Sequence, residues 1–170
     1  MTEEVNSVGK PHDLARAAIE SWRGRCIDLF ARGEKVIGQT LEAIRAAAKE
    51  PTTVKLRHLA GQRSEDISRQ LRGLKFPAKQ SNKLVEAVTG WRVFEAKRVF
   101  FAHATMTVTL DSKGKWFAVF DMTVYRSDQP QRERWVVSEC EANEFANFLD
   151  ASWKQLSAQL GQVRKQPDTA

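Results

Sequence analysis

Arg98-Val-Phe-Phe-Ala-His103-Ala-Thr-Met-Thr-Val-Thr-Leu110 is the stretch on which the fold turns, because two hydrophobic periods meet inside it. Up to His103 the apolar residues follow a helix. Leu84, Val88, Trp91, Val99 and Ala102 recur at helical spacing, which predicts a third helix over about 79–103. Beyond His103 the period drops to two. Met106, Val108 and Leu110 then share one face of a strand, since successive strand side chains point to opposite sides.

Forward of this stretch, Asp111-Ser-Lys-Gly114 has the chemistry of a hairpin turn. Trp116, Ala118, Phe120, Met122 and Val124 alternate along a second strand. A polar loop, Ser127-Asp-Gln-Pro-Gln131, leads to a short third strand over 134–137. Ser138-Glu-Cys-Glu141 matches a capping box, in which the serine accepts from the backbone and the glutamate reaches back. A last helix follows, with Phe145, Phe148, Leu149, Trp153, Leu156 and Leu160 inward.

Backward of it, a first helical pattern starts near His12. Leu14, Ala18, Trp22, Cys26, Phe30, Ile37, Leu41 and Ile44 carry its stripe. Gly24, Gly33 and Gly38 weaken this helix, because each glycine has more backbone entropy to lose. Glu50-Pro51 ends it, since the residue before a proline avoids the helical region. A second helix is expected over about 53–74, with Leu56, Leu59, Ala60, Ile67, Leu71 and Leu74 inward. The expectation is a mainly α single domain over 1–170. It is an up-and-down helical bundle with a small antiparallel β-meander (105–138) inserted before the last helix, and flexible ends at 1–10 and 162–170.

Composition narrows the function classes. The chain has 170 residues, enough to bury a core without staples, and 42% of them are hydrophobic. The net charge of +6 fits a polyanionic partner. Cys26 and Cys140 are far apart and form no metal-ligand pair, which reads as free thiols in a reducing cytoplasm. The acidic, polar start Met1-Thr-Glu-Glu-Val-Asn-Ser7 is unlike a signal peptide, and no apolar run is long enough for a membrane span. No glycine-rich phosphate loop is present, and Ser112 and Ser138 have no acid-histidine partner nearby in sequence. His12 and His58 read as isolated surface residues, and the tryptophans follow the core periods.

Two constellations carry chemistry. On a wheel of about 100° per residue, Glu95 and Arg98 fall on the apolar face of the third helix, three residues apart. Charges there are costly unless paired, or unless the face meets a substrate or a second subunit. His103 closes the same helix, and histidine can give and take a proton near neutral pH. Arginine beside histidine suits phosphodiester cleavage. The guanidinium holds the phosphate and the imidazole moves a proton, with the RNA 2′-hydroxyl as attacker and no metal required. The second constellation is Arg69, Arg72, Lys75 and Lys79, a basic cluster able to track a phosphate backbone.

Placed at the end of a third helix, Arg98-Val-Phe-Phe-Ala-His103 resembles the R-x4-H motif of the HEPN superfamily. The resemblance implies a helical bundle acting as a metal-independent endoribonuclease of toxin or defence type, with no cofactor and no metal. It implies Arg98 and His103 as the catalytic pair, with Glu95 placed to orient the arginine. It also implies a homodimer whose two motifs meet in a shared cleft, RNA as substrate, and a protein antitoxin as possible partner. An exposed apolar patch around Trp91 and Phe94 would be the trace of that dimer. Active members usually carry a polar residue, often asparagine, after the arginine, and Val99 stands there in this chain. The resemblance therefore also admits a non-catalytic HEPN-like binding or regulatory module.

Overall fold

The period change at His103 is a real junction. In the computed structural model, which describes residues 9–165, helix α3 (Ala78–His103) runs directly into strand β1 (Thr105–Leu110). The other elements are α1 (Gly9–Ala47), a 3-10 turn (Pro51–Thr53), α2 (Ala60–Gly73), β2 (Trp116–Arg126), β3 (Gln129–Ser138) and α4 (Glu139–Lys165). The chain is thus mainly helical, with a three-stranded antiparallel meander in the order β1-β2-β3 before the last helix. Among the described residues no helix is long and apolar enough to cross a membrane. Residues 1–8 and 166–170, where loose ends were expected, lie outside the described residues, while 162–165 continue α4.

The chain divides into two compact units, whose boundaries fall within α1, α3 and α4. One unit holds the described residues up to Ile27 together with Lys97–Phe148, and so contains the meander. Trp22 of α1 is its hub. The indole packs at 5.1 Å from Phe101 of α3, 6.1 Å from Phe120 of β2 and Trp135 of β3, and 6.3 Å from Phe145 of α4. Each such pair contributes about 1 kcal/mol beyond its buried area. The Phe101 carbonyl accepts from Arg23 Nε at 2.9 Å, which ties α1 to the last turn of α3.

Both hairpin turns follow from backbone chemistry. At the first, Gly114 takes a positive φ of 76°, and Asp111 Oδ1 accepts from the Lys113 and Lys115 amides at 2.8 Å. At the second, Ser127 and Asp128 both have positive φ, 49° and 60°, a two-residue turn whose twist matches the strands. That tight turn lets β3 begin at Gln129, so the third strand is longer than the short segment expected over 134–137. The capping box is present: the Ser138 amide donates to Glu141 at 2.8 Å, and the Glu141 amide donates to Ser138 Oγ at 3.3 Å.

The other unit holds Asp28–Ala96 with the described residues from Leu149 onward. Phe30, Ile37, Leu41, Ile67, Leu84, Trp91, Leu156 and Leu160 form its core. Trp91 of α3 meets Phe30 edge-on at 5.7 Å and lies over Gly33 of α1, where a Cβ would fall 2.1 Å from the indole. Gly33 is therefore required by packing, not merely a weak point in a helix. Arg164 of α4 donates to Thr40 Oγ1 at 3.1 Å, joining α4 to α1.

Several expected faces differ. α2 begins at Ala60 instead of near Thr53, and Leu56 and Leu59 are exposed. The reason is Arg57, whose Nε lies 3.1 Å from the buried Asp66 carboxylate. On one continuous helix these residues, nine apart, would point about 180° away from each other. The irregular segment lets them meet. Leu14, Ala18, Ala102 and Phe148 also face solvent. In α1 the buried stripe is Ala15, Ile19, Trp22 and Cys26, one position on from Leu14 and Ala18. Of the two residues expected to mark an exposed apolar patch, Trp91 is fully buried and Phe94 is half-buried.

Candidate functional site

Helix α3 ends because β-branched residues take over at Thr105, Thr107, Val108 and Thr109, which prefer the pleated backbone. The junction leaves His103 exposed in the last helical turn, beside the first rung of the sheet. There it lines a cleft of about 450 Å³ with Thr105, Asp121, Thr123, Arg132 and Arg134.

The strand register explains this company. Asp121 pairs with Thr105 on one side and Arg134 on the other, and Thr123 pairs with Arg132. These positions alternate with the core residues Phe120 and Trp135, so they project to the opposite face. Arg134 grips Asp121 through two bonds, Nε to Oδ1 at 2.6 Å and a terminal nitrogen to Oδ2 at 3.2 Å. That carboxylate holds the guanidinium further above its usual pKa. The Arg132 guanidinium is exposed and has no carboxylate partner among the described residues. The cleft thus joins an accessible imidazole, one uncompensated guanidinium, one paired guanidinium and two threonine hydroxyls.

The other motif residues lie elsewhere. Arg98 is half-buried and is not part of the cleft lining. Five residues on a helix advance about 500°, which turns Arg98 and His103 roughly 140° apart. Glu95 belongs to the second unit, where its carboxylate accepts a short hydrogen bond from the fully buried Ser64 of α2. Burial, the largest influence, raises the Glu95 pKa, while the Ser64 bond opposes it. The Trp91 indole N–H faces the same carboxylate and favours its charged form, although it lies outside hydrogen-bonding geometry.

Of the predicted basic cluster, Arg69, Arg72, Lys75 and Lys79 are all exposed. Arg69 is drawn to Asp66 at 3.4 Å, and Arg72 Nε donates to the Ser68 carbonyl at 3.2 Å. Arg72 and Arg92 line a separate groove of about 630 Å³ over Leu71 and Val88. His58 is exposed, whereas His12 is half-buried with Nε2 3.3 Å from the Val108 carbonyl. Among the described residues no group of three or more His, Cys, Asp or Glu is placed to hold a metal ion.

The sequence reading missed Asp121, Arg132 and Arg134. Their signal was the alternation itself: extending the third strand back to Gln129 puts both arginines on the face opposite Trp135. Compared with protein-family models, curated proteins and solved structures, the chain matches none of them.

Proposed function

We propose that this chain is a HEPN-like RNA-binding protein that cleaves single-stranded RNA without a metal. The observation that carries this reading is the cleft at the end of α3, where the exposed His103 imidazole shares one concavity with Arg132 and Arg134. In the proposed reaction neutral His103 takes the proton of an internal 2′-hydroxyl. The 2′-oxygen bonds to phosphorus and the bond to the 5′-oxygen breaks. The same imidazolium returns the proton to the departing 5′-oxygen. The products are a 2′,3′-cyclic phosphate and a 5′-hydroxyl. Arg132 offsets the charge that builds on the phosphoryl oxygens.

Arg98 and Glu95 enter this reading through the motif. A homodimer and a protein antitoxin belong to it on the same ground, and a reducing cytoplasm suits the unbridged Cys26 and Cys140. A second reading, binding without cleavage, draws on Val99, the apolar residue that follows Arg98. Incubating the protein, His103→Ala and Arg98→Ala with single-stranded RNA in EDTA separates the two. The proposal expects cleavage by the parent and its loss in His103→Ala. RNA binding with no cleavage by any of the three favours the second reading.

A further inference from the structure

The solvent side of the meander extends well past the His103 cleft. Thr107, Val119 and Val136 form the next rung of the same face, and Val136 is 51% exposed. At the turn end stands Tyr125, the chain's single tyrosine, 77% exposed. At the far end Phe117 is half-buried and lines a second cleft of about 450 Å³ with Lys115 and Asn143. Tyr125 and Phe117 are on the same face of β2, and eight residues at about 3.3 Å each set them roughly 26 Å apart. His103, Arg132 and Arg134 lie between them. Asp121 is the one acidic strand residue on this face, and Arg134 already neutralises it.

An exposed aromatic, guanidinium groups and an open pleated face suit unstacked bases joined by phosphates. They do not suit a duplex, whose bases are already stacked and out of reach of Tyr125. We propose that the solvent face of the meander is a stacking platform for single-stranded RNA, which carries the strand across His103. This rests on the RNA reading above and adds where the strand lies. Tyr125 stacks a base and Arg132 takes a phosphate.

The test is fluorescence anisotropy with a fluorescein-labelled 2′-O-methyl RNA of about twelve nucleotides, a length suited to such a platform. Tyr125→Ala is expected to weaken binding roughly tenfold, and Tyr125→Phe, which keeps the ring, to leave it within about twofold. Arg132→Ala is expected to lower the slope of log affinity against log salt by about 0.7. Binding by the parent that is indifferent to Tyr125→Ala and Arg132→Ala overturns the platform and leaves the RNA reading standing. Equal affinity for a duplex of the same sequence also overturns it. If the parent binds neither oligonucleotide, the RNA reading fails and the platform with it.

Discussion

The Ser64 hydroxyl donates a hydrogen bond to the Glu95 carboxylate, joining α2 to α3 through a buried serine. Glu95 is thereby held at a helix interface, and its raised pKa reports mainly the burial of its charge. The folded chain binds the titrating proton of Glu95 more tightly than the unfolded one does. Stability from this group is therefore full below the ordinary value of 4.5 and is lost as pH rises through the higher folded value. Glu95→Gln removes the titration and keeps a carbonyl to accept from Ser64. Urea melts at several pH values are expected to show the variant at least as stable as the parent near neutrality. That advantage is expected to shrink on acidification, and a gap that ignores pH contradicts the account.

Gly33→Ala is expected to destabilise the protein, although alanine normally improves a helix by about 1 kcal/mol. The new methyl would overlap the Trp91 indole, and overpacking of this kind costs about 1–3 kcal/mol. Thermal melts of Gly33→Ala, Trp91→Leu and the double variant check this. The alanine should be harmful beside tryptophan and much less so beside leucine. A raised Tm in the single variant contradicts the packing.

The two cysteines should separate in reactivity. Cys26 is fully buried in α1, and burial pushes its thiol up to about 12, so the thiolate is scarce. Cys140 is exposed on the first turn of α4. Titration with a disulfide reagent is expected to modify Cys140 alone in the native protein and both thiols in denaturant. Rapid native labelling of Cys26 would show that α1 is not packed as described.

Two bonds from Ser138 hold the Glu141 carboxyl below its usual range. Because this pKa is depressed, the capping interaction is present above the ordinary value of 4.5 and is lost as pH falls through the folded one. Ser138→Ala removes the side-chain cap and should cost about 1 kcal/mol of stability. An NMR titration of that variant is expected to show the Glu141 pKa moving back toward 4.5. An unchanged value would mean the backbone bond alone sets it.

Most of the architecture is legible in the sequence because it is written in periods. The switch at His103, the hairpin at Asp111–Gly114 and the capping box at Ser138 are local signals, and each forms where its residues stand. What could not be read depends on partners that no single helical or strand period brings together. The pull of Asp66 on Arg57 delays α2, and the Trp91 indole determines what Gly33 is for. At the candidate site, His103 was readable from its place at the helix end. Arg132 was not, because only the register of β2 with β3 brings it into the same cleft. The wheel places Glu95 on the inner side of α3, where the carboxylate is half-buried. Its partner Ser64 lies 31 residues away on another helix, beyond the reach of a wheel diagram.

The most direct measurement of the central claim compares single-stranded RNA with its fully 2′-O-methylated counterpart, in EDTA, using the parent and His103→Gln. Internal attack by the 2′-hydroxyl predicts that the parent cleaves only the unmodified strand and leaves 2′,3′-cyclic phosphate ends. His103→Gln should be slowed by at least about a hundredfold, the scale of a lost acid–base group. Cleavage of the methylated strand, or equal rates for the parent and His103→Gln, would contradict it.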